Sequence, residues 1–193
     1  MFTGIITETG EVAARTRSSI SIHAKNSVLR NLKRGGSITV EGACLTVVAK
    51  GKGSFSADIM PETARRTTLG GLKGGAHVNL ELPATPASFL SGHIVQGHVD
   101  GVGKLVGVAR KGNSHVLKFS IPRALSKYIV EKGSIAVNGV ALTVVEAGKN
   151  YFTVGIIPHT RENTSFRTLK VGARANIEVD VLAKYVEKLR KRL

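Results

Sequence analysis

Short alternating runs dominate the chain. In "GSITVEG", residues 36 to 42, Ile38 and Val40 fall on one side of an extended strand and Ser37, Thr39 and Glu41 on the other. A Gly turn then leads into "ACLTVV". Segments of this kind, rich in Val, Ile and Thr, are set apart by Gly and Asn signals about every 8 to 12 residues, which predicts a mostly β protein. Helical spacing is confined to "NSVLRNLKRG" and "PRALSKYIVEKG", each closed by Gly, and to the final "VLAKYVEKLRKRL". In that last segment Leu182, Val186, Leu189 and Leu193 follow spacings of 4, 3 and 4.

The pattern repeats. A shift of 97 residues lays residues 36 to 83 over 133 to 180 without a gap, and "GSITVEGACLTVV" meets "GSIAVNGVALTVV". Further along, "FSADIMPETARRTTLGGLKGGAHVNLEL" meets "FTVGIIPHTRENTSFRTLKVGARANIEV", with Asn79 and Glu81 among the positions that recur. A shift of 93 places "GIITETGEV" on "GHVDGVGKL". The chain is a tandem duplication joined near "LPATPASFLSGH". In the second copy the turn after the opening strand is Asn138-Gly139, a pair suited to positive φ; Glu41-Gly42 in the first copy fits that geometry less well.

About six strands in each half, with few helices to cover them, hide their edges best by closing into a barrel. The expected fold is therefore all-β: two small closed six-stranded Greek-key barrels with short helices, over residues 1–90 and 91–180, and a C-terminal helix over 181–193. Two readings of that helix stand open. It packs on its own barrel, or its narrow apolar seam, flanked by Lys and Glu, drives self-association.

Composition narrows the class. The 193 residues contain no apolar run approaching the roughly 20 needed to span a bilayer, and "MFTGIITETGEV" lacks the features of a secretory signal. With Cys44 as the single cysteine no intrachain disulfide can form, and a cytoplasmic location is expected. The net charge of +15 raises nucleic acid as a partner, but the cations are scattered apart from Lys184, Lys188, Arg190, Lys191 and Arg192. Trp is absent and the aromatic residues are dispersed, so stacking platforms are missing. Neither nucleic acid nor membrane is expected as a partner.

Six motifs, "MFTGI", "GACLTVV", "MPETARRTTL", "SGHIVQGHVDG", "VNGVALTVV" and "NIEVD", occur in the order and spacing of the riboflavin synthase α-chain family, which the chain resembles along essentially its whole length. The resemblance implies a homotrimer of two-barrel subunits that dismutates two molecules of 6,7-dimethyl-8-ribityllumazine. One gives four carbons to the other, yielding riboflavin and a 5-amino-6-ribitylamino-pyrimidinedione. No metal or organic cofactor is implied. Two similar pockets for two identical substrates would give the duplication a chemical reason, since holding both in near-attack geometry makes the step effectively unimolecular.

Carried over residue by residue, the resemblance places Gly4, Ile5, Ile6, Cys44, Leu45, Thr46, Asp58, Ile59, Met60, Pro61, Glu62 and Thr63 in a first pocket. The second takes Gly97, His98, Val99, Lys132, Ala141, Leu142, Thr143, Ile157, Pro158, His159, Thr160, Arg161 and Glu162. Ser37 and Asp180 also match positions of interest. Phe2 would cover a substrate ring or belong to the core. His98 is the implied general base, with Asp100 on the same strand face to orient it, while His93 reads as structural.

Donor and acceptor roles require the copies to differ, and Cys44 faces Ala141, Gly35 faces Lys132, Met60 faces Ile157, Glu62 faces His159 and Pro83 faces Asp180. Cys44 would polarise or add to a ring carbon, or is a small buried hydrophobe. Lys132 would offset ring charge, or is a solvated lysine. Asp180 would accept a hydrogen bond from a nucleophile or ribityl hydroxyl, or caps the last helix. Family members commonly carry Ser where this chain has Ala141; Thr143, on the same strand face, or a water would then supply the hydroxyl. The departure keeps a second reading open, a non-catalytic lumazine- or flavin-binding protein of the same fold.

Overall fold

The computed structural model describes residues 1–190; Lys191 and Arg192 of the basic cluster and Leu193 of the helical seam lie outside the described residues. The first half forms strands β1 Glu8–Arg15, β2 Ser19–His23, β3 Ser37–Val40, β4 Ala43–Gly51, β5 Ser54–Asp58 and β6 His77–Glu81. The second forms β7 Gly101–Lys111, β8 Ser114–Ser120, β9 Ser134–Val137, β10 Val140–Ala147, β11 Tyr151–Ile156 and β12 Arg174–Val179. Each set closes into an antiparallel barrel, ordered β1-β2-β5-β4-β3-β6 and, in the same scheme, β7-β8-β11-β10-β9-β12. The alternation read from the sequence places Ile38, Val40, Leu45 and Val47 inside the first barrel and Ile135, Val137 and Val144 inside the second. There Phe119 stacks on Phe152 with ring centroids 5.5 Å apart.

Four α-helices complete the described residues: α1 Asn26–Asn31, α2 Pro61–Arg66, α3 Pro158–Glu162 and α4 Val181–Arg190. α2 and α3 are less than two turns long and nearly without apolar residues, so no apolar period announced them; each starts on a proline whose fixed φ suits the first turn. The helix expected in "PRALSKYIVEKG" is a 3-10 segment, Arg123–Tyr128. Its ends tighten into three-residue bonds, Leu125 N–H to the Pro122 carbonyl at 2.9 Å and Ile129 N–H to that of Ser126 at 3.1 Å. Both side chains stay in the core.

The polar face expected of "GSITVEG" is not solvated. Thr39 and Glu41 are 1% and 5% exposed, because this end of each barrel packs against the other barrel. A Cβ added to Gly42 would come within 2.5 Å of the Gly139 nitrogen, so the two hairpin turns meet backbone to backbone. Glu41 adopts φ 49°, as does Asn138, despite being the poorer residue for it. Its compensation is a bond: the Asn79 amide donates to Glu41 Oε1 at 2.7 Å, as the Asn176 amide donates to Asn138 Oδ1 at 2.7 Å.

Two asparagines then cross the boundary. Asn79 Nδ2 donates to the Asn138 carbonyl at 2.9 Å, and Asn176 Nδ2 to the Glu41 carbonyl at 2.8 Å. Their Oδ1 atoms accept from the Ser165 and Thr68 amides at 2.6 and 2.7 Å. Buried polar groups of this kind hold their place only if satisfied, and this network fixes one orientation between barrels.

Candidate active site

The strands that carry most of the candidate residues present them on their outer faces. In β4, Leu45 and Val47 point into the barrel, so Cys44, Thr46 and Val48 point out. Ser37 lies directly opposite Thr46 and Thr39 opposite Cys44. The second barrel repeats the arrangement, with Ser134 opposite Thr143 and Ala136 opposite Ala141. Exposed Asp58 and Met60 extend the first surface, and Gly155 and Ile157 the second.

The segments around Gly4 and Gly97 finish each surface, and they do so across the barrel boundary. Cys44 N–H donates to the Gly97 carbonyl at 2.9 Å, and Ala141 N–H donates to the Gly4 carbonyl at 2.8 Å. A Cβ on Gly97 would lie 2.6 Å from that of Cys44, and one on Gly4 would lie 2.5 Å from that of Ala141. Both glycines also hold φ near +80°, at 80° and 77°, a region costly for other residues. Val99 accordingly packs on the first core and Ile6 on the second. The expected grouping is thus exchanged: Gly97, His98 and Val99 stand with Cys44 and Thr46, whereas Gly4, Ile5 and Ile6 stand with Ala141 and Thr143.

Two buried carboxylates hold these segments. Glu81 accepts from the Thr3 amide and hydroxyl, both at 2.7 Å, and from the Gly4 amide at 3.1 Å. Glu178 accepts from the Gln96 amide at 2.6 Å and the Gly97 amide at 3.0 Å. Burial raises the pKa of both above the ordinary carboxylate range, against the pull of those bonds. Their signal in the sequence was the recurrence of Asn79 and Glu81 as Asn176 and Glu178; both strands alternate regularly, and only the structure shows that their polar positions are buried too.

Other candidates take different places. Phe2 is 2% exposed, bridged to Val95 and packed with Ala136 behind Cys44, so it is a core residue and presents no face to a ring. Leu45 and Ile59 are likewise interior. Asp100 does not orient His98: one oxygen accepts from the Val179 amide at 2.9 Å and the other meets Lys184 Nζ at 2.7 Å. The His98 ring is exposed, without a hydrogen bond among the described residues. Asp180 accepts from the Leu182 amide at 2.9 Å and so caps α4. His93, partly buried, has its pKa lowered by desolvation, partly opposed by the charge of Asp180.

Outside the strands, Glu62 is held by Arg65 and Arg66 of its own helix, which keep its pKa below the usual range. Arg161 reaches His115 Nε2 at 2.8 Å. His159, Pro61, Pro158 and Glu162 are exposed, with Thr63 and Thr160 partly so. Lys132 is exposed at φ 62° where the first copy has Gly35 at φ 80°. Ser134 was not singled out from the sequence, although its counterpart Ser37 was. Among the described residues no group of His, Cys, Asp and Glu is arranged to hold a metal ion, and no helix is long and apolar enough to cross a membrane.

Two outward surfaces related by a duplication, each completed by the other copy's glycine segment, are the deciding geometry. The lumazine binding domain model matches residues 3–83 and again 96–180. The chain belongs to the riboflavin synthase family. It is 45% identical to riboflavin synthase of Mycobacterium tuberculosis, over 98% of each chain. To riboflavin synthase of Bacillus subtilis it is 38% identical, over 96% of this chain and 88% of that one. In fold it is similar to LumP complexed with riboflavin, with a TM-score of 0.84 and 24% identity. The match to LumP complexed with 6,7-dimethyl-8-(1'-D-ribityl) lumazine has a TM-score of 0.83 at 23% identity; each covers 93% of this chain and 99% of that one.

Proposed function

We propose that this member of the riboflavin synthase family is a cofactor-independent transferase acting on two molecules of 6,7-dimethyl-8-ribityllumazine. One molecule passes a four-carbon unit to the other, leaving riboflavin and 5-amino-6-(D-ribitylamino)uracil. The observation that carries this reading is the pair of complete, exchanged surfaces. A reaction between two identical molecules needs two similar sites, and a carrier needs only one.

On the first surface, the end formed by Cys44, Val99 and the Gly97 segment, backed by Phe2, suits the bicyclic ring. Ser37, Thr46 and Asp58 suit a polyol, as three polar side chains across the outer face of the adjacent strands β3, β4 and β5. Ser134 and Thr143 repeat the hydroxyl pair on the second surface and offer a hydroxyl near Ala141. His98, one residue beyond the carbonyl bonded to Cys44, is the base for the acidic 7-methyl proton, and its exposed ring is free to meet substrate. The position equivalent to His98 in the second surface is Ile5, so the proton transfer belongs to the first. Cys44 against Ala141 adds to that division of roles.

The exposed seam of α4 supports a homotrimer. Leu182, Val186 and Leu189 are 61%, 65% and 60% exposed, while Lys184 ties the other flank to Asp100. An apolar stripe left open in one chain is covered well by its copies. A cytoplasmic location accords with the free thiol of Cys44.

Incubating the purified protein with 6,7-dimethyl-8-ribityllumazine should convert it to riboflavin with half the molar yield, followed by absorbance. Tight ligand binding without product would overturn the enzyme reading in favour of a binding protein.

A further inference from the structure

Beyond the surface just described, β4 runs into a cleft of about 540 Å³ lined by Leu32, Lys33, Arg34, Val48, Ala49 and Lys50. Three of the six carry positive charge and none is acidic. Val48 lies two residues past Thr46 on the same outer face, at a bulge that shifts the β4–β5 register between Val47 and Ala49. At 3.2 to 3.4 Å per residue, that is about 7 Å along the strand. Lys50 is placed by its own bonds: its Nζ donates to the Leu29 carbonyl at 2.7 Å and to that of Leu32 at 3.1 Å, at the end of α1. Lys33 and Arg34 are exposed, with no carboxylate partner among the described residues.

The duplication supplies an internal control. Under the shift of 97, Lys33, Arg34, Ala49 and Lys50 become Val130, Glu131, Glu146 and Ala147. Both acids replace a neutral or cationic residue, and Glu146 is engaged by the Tyr151 hydroxyl. The same location on the two barrels therefore has opposite charge, while the hydroxyl-bearing stretch leading to it, Ser37 with Thr46 and Ser134 with Thr143, is shared. Solubilising charge alone gives no reason for that contrast. Asp58 lines no part of the cationic cleft.

We propose that this cleft is a subsite for an anionic group at the far end of a ribityl chain, namely a 5′-phosphomonoester, on the first barrel alone. The proposal rests on the reading that the first surface binds the ring at Cys44 and the polyol at Ser37 and Thr46. A five-carbon chain laid along β4 from there delivers its terminal oxygen to Val48, where Lys33 and Arg34 meet a phosphate. Charge-assisted bonds from these side chains stabilise the dianion, and the acidic counterpart on the second barrel repels it. The chain would then distinguish phosphorylated from unphosphorylated flavins at one of two otherwise similar sites.

The test compares riboflavin with riboflavin 5′-phosphate by flavin fluorescence titration at low and high salt. The phosphate ester should bind on the order of three- to tenfold more tightly at low salt, and the advantage should fade as salt screens it. Lys33→Ala with Arg34→Ala should remove the advantage while riboflavin binding persists, and millimolar inorganic phosphate should erode it. Equal affinity of both flavins at low salt would overturn the subsite, as would equal weakening of both in the double variant, which marks a packing effect. Failure of riboflavin itself to bind would instead overturn the reading of the first surface.

Discussion

The Cys44 amide donates to the carbonyl of Gly97 at 2.9 Å, although the two residues belong to different halves of a duplicated chain. Ala141 makes the same bond to Gly4 at 2.8 Å. Each candidate site is consequently a product of both halves, and neither barrel alone presents a whole one.

Gly97→Ala should damage the first site selectively. The new Cβ meets that of Cys44 at 2.6 Å on a backbone with positive φ. A loss of about 1–3 kcal/mol in stability is expected, with lumazine binding to the first surface weakened beyond what unfolding accounts for. Chemical denaturation and ligand titration check this, and Gly4→Ala should transfer the defect to the second surface.

His98→Asn should leave lumazine affinity within a few-fold and lower the rate by on the order of 10² to 10⁴. Single-turnover kinetics measure both. An unchanged rate would remove His98 from proton transfer.

Ala141→Ser should retain or raise the rate. The added hydroxyl enters a half-exposed position beside Thr143. A large loss in steady-state turnover would mean that this space is used differently here.

Burial raises the pKa of Glu41 to about 7, outweighing the bond from the Asn79 amide. The folded state therefore holds this proton more tightly than the unfolded chain, whose glutamate titrates near 4.5. The stability this provides is full below that unfolded value, is lost as pH rises to about 7, and stays lost above. Asn138 does the same structural work without a charge, and Asn accepts positive φ readily. Glu41→Asn should raise stability above neutrality by on the order of 1–3 kcal/mol and flatten this part of the profile, as followed by thermal melts across pH.

Val186→Glu with Leu189→Glu should abolish the proposed homotrimer while leaving the barrels folded, because both side chains are exposed in the single chain. Sedimentation velocity reads the result. An unchanged profile would exclude α4 from the interface.

Much of this architecture was legible. Strand alternation gave the inward residues, the shift of 97 gave two equal barrels, and Asn138-Gly139 marked its turn. What covers the polar face of "GSITVEG" was not legible, because alternation reports which side of a strand faces the barrel interior and nothing about the other side. Thr39 and Glu41 are buried there by the second barrel. Phe2 and Asp100 could not be placed for a related reason. Phe2 is tied to Val95 by an isolated bridge far along the chain, and Asp100 to Lys184 of α4, so neither partner is signalled by local spacing. The prolines at the starts of α2 and α3 were visible, but "PETARR" and "PHTRE" are each less than two turns long and nearly without apolar residues, so they leave no apolar period.

The sequence by itself determined the duplication, the closed barrels and the residues in which the copies differ, because each is written in local period or direct self-comparison; the family resemblance rested on six motifs in order. Only the tertiary structure decided which residues share a site. Gly97 reached Cys44, and Gly4 reached Ala141, because the two turns at Gly42 and Gly139 meet backbone to backbone and Asn79 and Asn176 bond across them. That contact is set by packing between barrels, and no spacing along one chain encodes it.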